Sequence, residues 1–153
     1  MKHPVYFKAA PGDPPPLTIS IPRRARFDEL DPLNIVWHGR YASWFEEARV
    51  ALGDRHGIGY LDFFNRGITI PLKKFHADFH RPLTMNRAYR VEARLHWHEA
   101  ARLDYDFRIL DADGELMSSG YSVQLMIDRA QGVLVAKPEF FEEFCRQWRH
   151  GEI

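Results

Sequence analysis

Several things are scarce in this sequence, and each shortage narrows what the chain can be. There is one cysteine, Cys145, so no internal disulfide forms and a reducing compartment, the cytoplasm, is expected. No apolar run approaches the ~18 residues that a membrane-spanning helix needs, and Met1 to Pro16 contains no stretch suited to a signal peptide. Net charge is also missing, since 21 Lys and Arg balance 21 Asp and Glu. That balance argues against a general nucleic-acid binder, though not against a small anionic ligand. Lysine itself is rare: Lys2, Lys8, Lys73, Lys74 and Lys137 leave 16 of the 21 cations as arginine. Arginine forks suit phosphate and carboxylate, yet no phosphate-binding spacing accompanies them here. What remains is 153 residues, 45% hydrophobic and 14% aromatic, enough for one domain with its own core.

Pro14, Pro15 and Pro16 close an irregular arm, residues 1–16, ahead of a single domain over 17–153. Leu17, Ile19 and Ile21 alternate with Thr18 and Ser20, and Ala25 and Phe27 continue the series, which predicts a strand bent at Pro22. Tyr41, Trp44, Phe45, Ala48 and Leu52 then recur at helical spacing, with Gly57 as the stop. Three aromatics on that stripe predict a helix wrapped on most sides. Tyr60 to Arg66 reads as a short helical turn.

From Gly67 the period becomes two. Phe75 to Phe79, Tyr89 to Trp97, Leu103 to Ile109 and Tyr121 to Ile127 each alternate apolar with polar residues, and Asp113-Gly114 marks a hairpin. Four such strands joined by tight turns predict an antiparallel meander with one apolar face. A last helix opens at Pro138 and carries Phe140, Phe141, Phe144 and Trp148 on one side, with acids early and bases late. The expected class is α+β, one long helix against a curved antiparallel sheet.

The chemistry is expected between the first strand and the aromatic helix. Asp28, Glu29 and Asp31 stand before a loop that ends at a helix N-terminus. Unpaired N–H groups there can hold a carbonyl oxygen as it gains charge, beside a carboxylate able to act as base or nucleophile. The same residues also serve as ordinary turn formers and helix caps.

Asp31-Pro32, Ile35-Val36-Trp37-His38, Tyr41, Phe45-Glu46 and Ala48-Arg49 resemble the signature of the hotdog-fold acyl-CoA thioesterases, in the branch like 4-hydroxybenzoyl-CoA thioesterase. The similarity runs from about Ile19 to Phe144. The resemblance implies a sheet wrapped around the long helix, subunits joined edge to edge as a homo-oligomer, often a homotetramer, and no cofactor. It puts the catalytic aspartate at Asp31, the carbonyl-polarising N–H at His38, and the helix-start tyrosine beside the acyl site at Tyr41. Trp37 is expected to line the substrate pocket. The chain departs from the pattern twice. Asn34 replaces the usual glycine, and Glu99-Ala100-Ala101-Arg102 leaves Arg102 alone where relatives place a basic cluster for CoA phosphates. An acyl-carrier-protein thioester therefore stands beside acyl-CoA as substrate.

The rival readings are a hotdog hydratase or dehydratase and a non-catalytic acyl-binding or assembly subunit. Asp28 is the alternative carboxylate near the loop, and Glu46 and Glu47 are helix alternatives whose usual role is pairing with neighbours. His76, Asp78 and His80 share one strand face and His96 and His98 another; a polar outer face explains them better than a metal site. Cys145 is expected to fill space.

Overall fold

A computed structural model describes residues 3–153; the first two residues of the expected arm lie outside it. Strand β1 (Leu17–Arg23) is followed by the long helix α1 (Tyr41–His56), the short helix α2 (Tyr60–Phe64), and strands β2 (Ile68–Thr69) and β3 (Leu72–Phe79). Then come β4 (Tyr89–His96), β5 (Arg102–Asp111), β6 (Leu116–Leu125), β7 (Ile127–Asp128), β8 (Gly132–Val133) and helix α3 (Glu139–Arg149). The main sheet is antiparallel with the order β1-β4-β5-β6-β3, and β2, β7 and β8 form a small second sheet. This is the α+β hotdog arrangement that the sequence implied.

The helical stripe behaves as its spacing demands. Trp44, Phe45, Ala48 and Leu52 are fully buried against the inward residues of β4 and β5, with Phe45 and Phe107 stacked 4.9 Å apart. Each large side chain removed from water in this way contributes about 1.5–3 kcal/mol. Gly57 closes α1 in the left-handed region, at φ 69°, a conformation that costs glycine nothing. Helix α3 lays Phe141, Phe144, Cys145 and Trp148 onto the same core.

Three expectations need correction. The first strand stops at Arg23; Phe27–Glu29 forms a 3₁₀ turn and Phe27 points to solvent. The four later strands are not one meander, because β3 crosses to the far edge and pairs with β6 rather than β4. The third correction concerns β6. Ser118, Gly120, Ser122 and Gln124 lie opposite Ile109, Phe107, Tyr105 and Leu103, which places them on the helix side. The apolar Tyr121 and Val123 therefore face outward. The N-terminal arm covers that outer face, with Tyr6 and Phe7 packed on Tyr121, so apolar residues there are also shielded.

Gly120 is fixed by close approach. A Cβ there would stand 2.2 Å from the His76 carbonyl oxygen and 2.8 Å from the Phe45 ring. Only a bare backbone lets α1 settle on β6 at this point.

Candidate active site

The loop after β1 is held by a buried acid. Glu29 is 1% exposed; its carboxylate accepts from the Arg26 amide and the Trp44 indole, each at 3.0 Å, and from Arg23 at 3.3 Å. Its carbonyl accepts the Trp37 amide at 2.9 Å. Glu29 thus ties the loop to β1 and α1 together, and a carboxylate buried in this way needs those partners.

Within the loop, the Asp31 amide donates to Ile35 and the Asn34 amide donates back to Asp31, both at 2.9 Å. Asp31 Oδ1 accepts the Leu33 amide at 2.8 Å. Asn34 sits at φ 61°, in the left-handed region that asparagine tolerates better than most residues. Asn34 thus holds a backbone conformation of the kind that glycine adopts freely. The Val36 amide donates to Leu83 at 2.9 Å, which pins the loop to the segment after β3.

Trp37 leads into a 3₁₀ turn, His38–Arg40, that runs directly into α1. The first amides of a helical start have no partner within the helix and carry its positive dipole end; here they belong to His38 and Gly39. Asp31 and His38 line one cleft of about 450 Å³, with Tyr41, Val36 and Ile35 on one side and Phe79, His80, Arg81 and Pro82 on the other. Tyr41 meets Phe79 edge to face at 4.7 Å. Burial raises the Tyr41 phenol above its ordinary value, so at neutral pH it is a neutral hydrogen-bonding group.

The cleft gathers Asp31, His38 and Tyr41, but not Trp37 or Arg102. The Trp37 ring is 48% exposed, lies beside His38 and covers Gly39, outside the residues that line the cleft. Arg102 donates to Asp104 at 2.7 Å at the opposite end of the sheet. Ile109 is level with Phe79 through Ser118, and Arg102 is seven residues away along β5, roughly 23 Å at strand rise.

The other candidate acids are engaged elsewhere. Asp28 is exposed and held below the usual carboxylate range by the Arg26 hydrogen bond. Glu47 pairs with Arg23 at 2.6 Å. Glu46 takes a forked contact from buried Arg49 and a bond from the Tyr60 hydroxyl at 2.9 Å. It also borders a second, apolar cavity of about 180 Å³ between α1 and β3, with Phe75, Phe107 and Ser122. Among the described residues, no three His, Cys, Asp or Glu side chains gather as a metal site. His76 and His96 each bond an aspartate, Asp78 and Asp106. Cys145 is buried, which pushes its thiol up to about 11.

Sequence reasoning gave no role to Glu29 as the loop's anchor, nor to Phe79, His80 and Arg81 as the far wall. The place of this wall follows from the pairing of β3 with β6, which brings the end of β3 to the Asp31 loop.

The fold is that of a hotdog domain, and its cleft brings a carboxylate and a helix start together. Residues 25–148 match the family model described as the thioesterase-like superfamily, and the chain belongs to that family. A Bacillus subtilis protein provisionally named acyl-CoA thioesterase YneP is 26% identical over 80% of this chain and 86% of its own length. The solved DHNA-CoA thioesterase of Staphylococcus aureus superposes with a TM-score of 0.77 at 21% identity, covering 88% of this chain and 91% of that one. A 4-hydroxybenzoyl CoA thioesterase mutant, solved with 4-hydroxybenzoyl CoA, gives 0.70 at 17% identity, over 84% and 98% of the two chains. No helix among the described residues is long and apolar enough to cross a membrane.

Proposed function

We propose that the protein hydrolyses acyl-CoA thioesters, with Asp31 as the reacting carboxylate and the His38 amide as the group that polarises the carbonyl. The observation that carries this reading is the shared cleft: a carboxylate and a helix start face one space walled by Tyr41 and Phe79. As a base, Asp31 takes a proton from water and the hydroxide attacks the thioester carbon. The oxygen gains charge against the helix start, the C–S bond breaks, and the thiolate takes the proton back. As a nucleophile, Asp31 attacks the thioester carbon and expels the thiolate, leaving a mixed anhydride. Water then opens it, which returns the Asp31 carboxylate and releases the acid, and the thiolate takes up the proton that the water gives off. A thiol of pKa ~8.5 leaves without a strong acid, so one carboxylate and one oxyanion site suffice. The named thioesterase YneP supports CoA as carrier, whereas the isolated Arg102 keeps an acyl-carrier-protein thioester as the competing substrate.

The experiment is thiol release by the wild-type chain from a panel of acyl-CoA esters and, in parallel, acyl-carrier-protein esters. Turnover with CoA esters is the expected result. Turnover only with carrier-protein esters reassigns the donor. An enoyl product without thiol points to the dehydratase reading, and silence on both carriers to a binding subunit.

The reading includes a paired assembly. Strand β3 is a sheet edge whose second side has no strand among the described residues, and Leu72, Phe75 and Phe79 along it are about half exposed. An uncovered apolar edge of this kind is a pairing surface. Sedimentation is expected to give at least twice the 18.0 kDa chain mass; a monomer at micromolar concentration would remove the edge-to-edge arrangement.

A further inference from the structure

The N-terminal arm reaches the back of the cleft's far wall. Asp78 and Ser119 are cross-strand partners on the outer face of β3 and β6, and Tyr6 from the arm bridges them. Its hydroxyl lies 2.7 Å from Asp78 Oδ2 and 2.7 Å from Ser119 Oγ. Ser119, 1% exposed, continues to His80 Nε2 at 2.9 Å. His80 lines the cleft with Phe79 and Arg81, and the amides of His80 and Arg81 both donate to the Met117 carbonyl.

The direction of this chain follows from proton counting. A carboxylate only accepts, so the single Tyr6 proton goes to Asp78. The Tyr6 oxygen then accepts from Ser119, whose one proton is thereby used. The Ser119 oxygen accepts in turn, which requires a proton on His80 Nε2. The arm is anchored independently of this chain, by Phe7 on His96 and Tyr121 and by the Trp148 indole donating to Pro15 at 2.9 Å.

We propose that Tyr6 is a positioning residue for the cleft: through Ser119 it fixes His80 as the Nε2–H tautomer and holds the Phe79–Pro82 wall in register with the Asp31 loop. The proposal rests on the Asp31 cleft being the active site, but its first readout does not. Tyr6→Phe keeps the ring and removes the hydroxyl, which frees Ser119 to donate to His80.

The test is ¹⁵N-histidine NMR above the ordinary histidine pKa of ~6.5, together with thioester kinetics. In the wild type, His80 is expected wholly as Nε2–H. In Tyr6→Phe, and likewise in Ser119→Ala, it is expected to become a mixture with Nδ1–H. KM should rise about three- to tenfold, the worth of one hydrogen bond, with kcat within twofold. A role confined to stability would lower the melting temperature and leave tautomer and KM alone; that result overturns the proposal. So does a wild-type His80 protonated on Nδ1. If the wild type hydrolyses no thioester, the functional reading fails while the NMR result still decides the tautomer.

Discussion

Asp31→Asn is expected to lower kcat for thioester hydrolysis by about 10²–10⁴-fold with KM within twofold and the melting temperature unchanged. The substitution is close to isosteric, and the asparagine Oδ1 still accepts the Leu33 amide that now reaches Asp31 Oδ1 at 2.8 Å. The left-handed turn at Asn34 and the bonds through Ile35 are backbone features that the change leaves in place. What is lost is a group able to take a proton from water or to attack the carbonyl, since a neutral amide does neither. Asp28→Asn is the matched control: Asp28 is exposed, paired with Arg26 and outside the cleft, so its rate should stay within twofold. Thiol-release kinetics beside a thermal melt check both. An Asp31→Asn enzyme that keeps its rate would move the chemistry to another acid, first to Glu46 beside the second cavity.

The largest effect on stability is expected at Gly120. In Gly120→Ala the new methyl meets the His76 carbonyl at 2.2 Å and the Phe45 ring at 2.8 Å. The carbonyl belongs to the backbone of β3 and does not swing aside, so either β3 parts from β6 or α1 lifts from the sheet. Overpacking in a filled core costs about 1–3 kcal/mol, and a backbone obstacle puts this site at the upper end. For a chain of this size that is a fall of roughly 6–12 °C in melting temperature. Gly120→Val should be worse, giving insoluble protein. A melt within 2 °C of wild type for the alanine variant would mean that α1 and β6 do not meet as closely as described.

The parts of the fold set by local pattern were legible in the residues themselves. Helix α1 was visible because Tyr41, Trp44, Phe45, Ala48 and Leu52 repeat at the helical period up to Gly57, and β4 because Tyr89, Val91, Ala93 and Leu95 alternate and all face the core. The placement of β3 was not legible, since pairing between strands distant in sequence leaves no local mark. Strand β6 misled for a different reason. Its apolar series points away from α1, and only the arm lying over it makes that direction a sheltered one. The Asp31 loop was readable as a turn next to a helix start, whereas Asn34 read as a departure from the family pattern, and only its φ of 61° shows the conformation it takes. Trp37 and Arg102 stand outside the Asp31 cleft of the single chain, because neighbourhood in sequence, or in a family pattern, does not give the direction of a side chain.

The inverted face of β6 also shapes the second cavity. Beneath α1, β6 presents Ser118, Gly120 and Ser122 as a low floor, so the bulk around the 180 Å³ cavity comes from the rings of Phe45 on the helix, Phe107 on β5 and Phe75 on the edge strand. Phe45 is locked in the core, whereas Phe75 is 45% exposed in the single chain and lies on the edge proposed for pairing. The size of that space is therefore set in part by a side chain of the pairing edge. A single exchange at Phe75 would change the cavity and the paired edge together, while the buried core of the domain stays as it is.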